Sequence, residues 1–303
     1  MPFNRERLCW SMISAFAVLL GLSAPALSAD LGGSTKDAAP APWVREPEKQ
    51  WTFSFTAYAW LPWISGDATV RGRSVDVDLT PGDVLGALDW STLPAWFSYA
   101  EARYGRLGLF NDIAYAKLTG SSGFSRSGPG GIATLNGNVR ADYTQTTIEF
   151  GAAYEVWPAV PNGAASSTAF DVLAGVRYWN QKLSVSAGVD VNMALPGLPI
   201  SGGRVFARSG SVDWLDPFIG LRMRHALGPG HKVTVRGDIG GFGIGSDLTW
   251  QALATYEFQI KTDLDAYVGY RALSVDYSQG GGANSYRYDA IQHGPVVGFT
   301  ARF

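Results

Sequence analysis

The final eighteen residues constrain this chain more tightly than any other stretch: residues 286–303 read YRYDAIQHGPVVGFTARF. Counting back in twos from Phe303 gives Ala301, Phe299, Val297 and Pro295, whereas the other parity gives Arg302, Thr300, Gly298, Val296 and Gly294. Successive side chains of a strand point to opposite faces, so one face is wholly apolar and the other carries a charge, a hydroxyl and glycines. A strand with hydrocarbon on one side and a polar interior on the other needs this period of two. A strand of a soluble β-sandwich also alternates, and the rest of the chain decides between the two.

The N-terminus reads as an address. Arg5 and Arg7 precede an apolar core from Met12 to Leu22, and the small residues Ala26–Ala29 form a cleavage site before Asp30, the pattern of a secretory signal peptide over residues 1–29. The single cysteine, Cys9, lies inside that segment, so the exported chain has no disulfide, cysteine ligand or thiol nucleophile. Residues 30–50 are rich in Pro and Ala and lack a period; they read as a flexible periplasmic leader. The remaining residues, 51–303, form one β domain. A net charge of −2 gives no footprint for nucleic acid. After residue 22 no apolar run reaches the roughly 18–20 residues a membrane helix needs. The 11 Trp, 13 Tyr, 15 Phe and 37 Gly suit a barrel with interfacial aromatic girdles and crowded strands.

Alternating segments recur along the domain. In the first strand, Trp51, Phe53, Phe55, Ala57, Ala59 and Leu61 share one face and Thr52, Ser54, Thr56, Tyr58 and Trp60 the other. A polar alternating ribbon follows over 67–80, then PGDVLGALD (81–89), a short helix candidate with Pro81 in its first turn. Residues 93–105 and 106–118 read as a hairpin, 119–138 as a long Gly/Ser loop, and 139–156 and 168–181 as further strands. Residues 182–213 read as a protruding hairpin with its tip at 193–203. Strands 214–227, 232–241, 247–260 and 264–277 precede the last one. Traced back from a periplasmic C-terminus, the short turns near 105, 228–231 and 261–263 fall inside and the long segments 62–92, 119–138 and 182–213 outside, the sorting expected of an outer-membrane barrel. The expected fold is therefore all-β: a transmembrane, antiparallel, up-and-down β-barrel of about ten strands, with 12 as the alternative, and a short helix in the first outer insertion.

Several stretches carry a family likeness: AYAWLPWISGDATV (57–70), DVDLTPGDVLGALD (76–89), EARYGRLGLFNDIAYAKL (101–118), GVRYWN (175–180), WLDPFIGLRMRH (214–225) and GPVVGFTARF (294–303). With them the chain resembles an uncharacterised, alphaproteobacterial-type family of outer-membrane β-barrel proteins. The resemblance covers most of the exported chain. It implies location in the bacterial outer membrane, contact with outer-membrane lipid, and recognition of the C-terminal strand, through Phe299 and Phe303, by the barrel assembly machinery. It brings no catalytic residues and is a warrant for fold rather than function.

Function must then come from the polar face. The candidate lumen charges are Glu101, Arg103, Asp112, Glu149, Glu155, Asp171, Arg177, Asp216, Arg222, Arg224, Arg236, Asp238, Glu257, Asp265, Arg271 and Arg302. Both signs occur in similar numbers, and barrels of this size are narrow enough for side chains to fill, so ion pairs that neutralise one another give a filled polar lumen and a structural or surface-interaction role. The alternative is a small porin for ions or small solutes. Arginines gather on the C-terminal strands and acids over 149–171, a pattern that would set a field across such a pore. A barrel lipid hydrolase is the second alternative; it would pair His293 with Ser274 or Ser278. His225 and His231 flank an expected periplasmic turn. Nothing in the spacing of His, Asp or Glu indicates a metal site, and the sequence calls for no cofactor and no enzymatic role.

Overall fold

A computed structural model describes residues 50–70, 73–127, 133–161, 167–195, 198–282 and 285–303. The expected signal peptide and the leader up to residue 49 lie outside the described residues. The elements are β1 (Trp51–Trp60), β2 (Trp63–Val70), β3 (Arg73–Leu79), α1 (Pro81–Ala87), β4 (Ala95–Tyr104), β5 (Leu107–Ser127), β6 (Ala133–Pro161), β7 (Ser167–Leu195), β8 (Leu198–Gly228), β9 (His231–Gly240), β10 (Leu248–Lys261), β11 (Leu264–Gln279) and β12 (Tyr286–Arg302).

β1 pairs with β4 on one side and β12 on the other, and β4 to β12 pair in sequence order, all antiparallel. This closes a barrel of ten strands. The end holding Trp51 and Phe303 is called the near end below, and the opposite one the far end. The ladder of β1 on β12 runs from Ser54 opposite Arg302 to Trp60 opposite Val296, and β2 resumes it in the same register, from Trp63 opposite His293 to Val70 opposite Tyr286. β2 is thus the far-end continuation of β1, interrupted where Pro62 has no N–H to give the ladder. β3 folds back on β2 and stands above β4. The first outer insertion is therefore built largely into the wall, which reconciles ten barrel strands with twelve strands in the sheet.

α1 follows from its local sequence. Thr80 Oγ1 accepts from the Asp83 backbone N–H at 3.3 Å, the Asp83 carboxylate accepts from the Thr80 N–H at 2.9 Å, and Pro81 opens the helix, a reciprocal cap that satisfies two otherwise orphan donors. The chain after α1 is clasped to β5: the Asp89 N–H donates to the Lys117 carbonyl at 3.1 Å, and Lys117 Nζ meets the Asp89 carboxylate at 2.7 Å.

One expectation is corrected. Residues 119–127 and 133–138 are not a loop: β5 and β6 continue as a paired ribbon from Thr119 opposite Asp142 to Ser127 opposite Thr134. Backbone pairing needs no apolar alternation, so a Gly/Ser-rich ribbon that leaves the apolar belt still forms a ladder. The segment 182–213 is the hairpin of β7 and β8, paired to Leu195 opposite Leu198. The far rim is uneven as a result. β6, β7 and β8 rise high, whereas β9 stops at Gly240 and β10 begins at Leu248.

Outward residues are apolar, and many are exposed: Phe150, Leu221, Ile219, Val268, Val297 and Phe299. Aromatics collect at both margins. Trp51 and Tyr104 touch at the near end (5.3 Å), while Trp63 stacks on His293 (5.8 Å) toward the far end. This is an inside-out protein, with apolar outer faces and charged inner ones.

Candidate functional site: the lumen

Because strands alternate, the parity that sends Phe299 outward sends Thr300 and Arg302 inward, and every wall strand delivers polar groups to the axis. Hydrogen bonds between strands far apart in the sheet, such as Arg271 on β11 with Asp112 on β5 and Gln145 on β6 with Gln292 on β12, show these groups meeting across the interior.

Twelve of the sixteen candidate charges fall into two sets. Near the near end, Arg222 donates to Asp171 at 2.8 Å and to Glu101 at 2.6 Å, Arg224 donates to Asp171 at 2.9 Å and Glu155 at 2.7 Å, and Arg103 reaches Glu101 at 2.9 Å and Asp171 at 3.3 Å. Three arginines thus face three carboxylates. The second set repeats that balance. Glu149 accepts from Arg177 at 2.8 Å and Arg236 at 2.7 Å; Asp238 accepts from the same two at 2.7 and 2.9 Å; Arg271 lies 3.3 Å from Asp112. Tyr58 donates to Asp112 at 2.7 Å and accepts from Arg271 at 2.7 Å. Glu149, Asp171 and Arg177 are fully buried. Charges removed from water this completely are tolerable only when each is paired and its hydrogen-bonding capacity used.

Phe110 and Phe218 lie between the sets. The Arg236 guanidinium sits 5.1 Å from the Phe110 ring centre and Arg177 sits 5.2 Å from that of Phe218, while Phe110 stacks on Tyr99, whose hydroxyl donates to Glu101 at 2.6 Å. Two glycines make the room. A Cβ on Gly151 would stand 2.4 Å from Phe110 Cζ, and one on Gly175 2.3 Å from the Phe150 carbonyl oxygen.

The other four candidates stand apart. Asp216 accepts from the Ser246 N–H at 2.6 Å and from Trp214 Nε1 at 3.2 Å, which draws the β9–β10 connection inward over the lumen. Glu257 pairs with Lys232 at 2.7 Å. Asp265 pairs with Arg302 at the near end. The separate runs of acids and arginines in the sequence do not leave a field across the lumen, because closure brings Arg224 to Glu155 and Arg236 to Glu149.

Above the second set lies a layer that the charge pattern did not reveal. Trp179 stacks on Trp214 (5.5 Å, 11° between planes) and Trp214 on Tyr277 (3.9 Å, 10°). Gln145, Gln181, Gln292 and Tyr288 fill the space beside them; Gln292 Nε2 donates to Gln145 Oε1 at 2.9 Å and to the Tyr288 hydroxyl at 3.0 Å. The signal was parity: Trp179 and Gln181 share a face with Arg177, Trp214 with Asp216, and Gln292 with Arg302.

The histidines are engaged elsewhere. His225 Nδ1 lies 2.7 Å from Thr168 Oγ1, His231 Nδ1 2.7 Å from the Tyr256 hydroxyl, and His293 Nδ1 2.6 Å from the Tyr270 hydroxyl, while Ser278 Oγ donates to Asp247 at 3.2 Å. Among the described residues no group of three or more His, Cys, Asp or Glu is placed to hold a metal ion.

No protein-family model and no curated protein matches the chain. Solved structures similar to it include the outer membrane protease OmpT from Escherichia coli (TM-score 0.43, 10% identity, 85% of this chain and 98% of that one). Others are Neisserial surface protein A (0.28, 11%, 84% and 97%) and an anion-selective porin from Comamonas acidovorans (0.26, 9%, 84% and 99%). Protease, surface protein and porin are roles of those proteins.

Proposed function

We propose that the chain is a non-enzymatic barrel of the bacterial outer membrane whose lumen is filled by its own side chains, and that its role is structural or one of surface interaction. The observation that carries this reading is the closure of six arginines on six carboxylates in two neutral sets beneath a stacked aromatic layer. An ion entering such a lumen would have to break charge-assisted bonds, those of Arg177 with Glu149 and Asp238 fully buried, which are among the strongest side-chain bonds. The apolar exterior, with aromatics at both margins, supports insertion in lipid. In this reading export removes residues 1–29, the near end faces the periplasm with the leader, the barrel assembly machinery engages the exposed Phe299 and Phe303, and the β5–β8 ribbons and α1 face outward.

The test is conductance of the refolded exported chain in a planar bilayer, with a gel comparing boiled and unboiled samples as the folding check. A compact species that unfolds on boiling and passes no current is expected. Reproducible channel steps from the folded species would replace this reading with that of a small porin.

A further inference from the structure

Above the lumen the wall reverses its pattern. Within the apolar belt, β7 sends Val172 and Val176 outward and Asp171 and Arg177 inward. Past Asn180 the same strand sends Lys182, Ser184 and Asp190 outward and Leu183, Val185 and Val189 inward, with no register shift in between. β6 reverses with it: Arg140 and Asp142 stand outward, Val139 and Ala141 inward. An antiparallel sheet with one face in water alternates in this way. The far ribbon of β5–β8 thus turns a polar face to the outside and an apolar face over the mouth of the barrel.

That inner face is uncovered. Val139, Val185 and Val189 are 45%, 37% and 36% exposed. Val139 stands opposite Ala187 and Ala141 opposite Val185, so the branched and small side chains form one continuous strip above the stacked rings of Trp179 and Trp214. A contiguous apolar surface left in water is the mark of a ligand groove or an interaction site.

Charge gives the class of ligand. Arg126 on β5 and Arg204 on β8 have the parity of the strip, stand opposite Leu135 and Val189, and are exposed. Among the described residues neither pairs with a carboxylate, and no Asp or Glu shares this face of the ribbon. The acids of the opposite wall, Asp67, Asp276 and Asp289, form a single cross-strand row on its outward face. The mouth therefore offers apolar surface and positive charge together.

We propose that this face binds a free amphiphilic carboxylate, a medium-chain fatty acid taken from the water beyond the far end. Its chain lies along the valine strip, which asks for no hydrogen bond, and its head meets the arginines at the strip's edges, whose guanidiniums match a carboxylate. A cationic amphiphile would meet only like charge. A lipid of the surrounding membrane would meet the polar outer face of the ribbon first. The inference deepens the surface-interaction reading and rests on it only for which end of the barrel faces outward.

The experiment places the refolded exported chain, checked by its shift on boiling, in phosphatidylcholine nanodiscs, with empty nanodiscs as the blank. Calorimetry should show saturable binding of decanoate, with octanoate weaker by about threefold or more because less chain is buried, and none of decyltrimethylammonium. Val185→Glu puts a carboxylate on the strip and should weaken decanoate binding by about tenfold or more, whereas Ser184→Glu, one residue along on the outer face, should leave it unchanged. Val139→Glu serves if Val185→Glu does not fold. Arg126→Gln and Arg204→Gln together should weaken decanoate by about threefold or more and narrow its advantage over decyltrimethylammonium. A folded wild type that takes up no more decanoate than empty nanodiscs overturns the proposal, as does binding that the strip variant leaves intact. So does equal binding of the cationic amphiphile, or loss of decanoate binding to added lipopolysaccharide, which would make the occupant a membrane lipid. Conductance is read separately on the same preparation: a barrel that conducts and binds decanoate through Val185 keeps this inference and discards the sealed lumen, and a sealed barrel that binds none does the reverse.

Discussion

Toward the near end, Arg222 holds Asp171 at 2.8 Å and Glu101 at 2.6 Å; toward the far end, Trp214 lies 3.9 Å from Tyr277 with planes 10° apart. Both arrangements fill the same lumen, but they fail differently. In the charged sets every group but Asp112, which pairs with Arg271 and the Tyr58 hydroxyl, is the counter-charge of two or three others, so removing one leaves its partners buried and uncompensated. In the ring layer, contacts are short-ranged and summed, so removing one costs little more than that contact. The near half should therefore be brittle and the far half graded.

Glu149→Ala tests the brittle half most severely. It strands Arg177 and Arg236, which donate to Glu149 at 2.8 and 2.7 Å, and loses the partner 3.6 Å from Arg271. Breaking a buried pair from one side costs about 3–5 kcal/mol, expected as a lower urea midpoint for retaining the compact gel species. The lumen would gain one net positive charge, so any current that appears should favour anions. A Glu149→Ala protein as stable as wild type would remove the distinction between the halves.

Gly175→Ala probes the floor between the charged sets. A Cβ there meets the Phe150 carbonyl oxygen at 2.3 Å and Phe218 Cζ at 2.7 Å, and a backbone oxygen inside a ladder has little room to move. Overpacking of this kind costs about 1–3 kcal/mol, to be read in the same urea titration. Trp214→Phe should cost less, about 1 kcal/mol, because a smaller ring still stacks between Trp179 and Tyr277 and only the Nε1 bond to Asp216, 3.2 Å long, is lost. If Trp214→Phe proved as damaging as Glu149→Ala, the far half would be a structural keystone rather than a graded layer.

The brittle half was the more legible one in sequence. Arg177 and Glu149 announce themselves as charges on strands whose other face is apolar, and period-two counting places all sixteen candidates on the inner parity. What counting cannot supply is the pairing. Arg222 and Glu101 are separated by 121 residues, and only closure of the barrel brings them together. The graded half was legible in parity but hidden by residue type: Trp60 and Trp179 sat on the polar face, yet aromatic residues in such a chain read first as interfacial girdles. The β5–β6 ribbon was missed for the opposite reason, since Gly and Ser at 120–123 lack the alternation that marks a half-buried strand, and pairing outside the apolar belt does not require it.

The smallest expected effect concerns the strap outside the lumen, where α1 and the following chain are clasped to β5. The Asp89 carboxyl is held well below the usual carboxylate range, first by the Lys117 ammonium and then by the Ser91 hydroxyl and N–H. A carboxylate whose folded pKa is depressed contributes stability above its unfolded pKa of about 4, and that contribution is lost as pH falls through the folded value. The clasp should thus be complete at pH 5 and weaken progressively below about pH 4. Pepsin cleavage within residues 80–94 should accordingly rise on going from about pH 4 to pH 2. In Lys117→Met the segment should already be cut at the higher pH, and the added acid sensitivity should vanish. Equal cleavage of wild type and Lys117→Met at both pH values would mean that the strap is held by α1 itself, through buried Val84 and the Thr80–Asp83 cap, and that the Lys117 pair contributes nothing measurable.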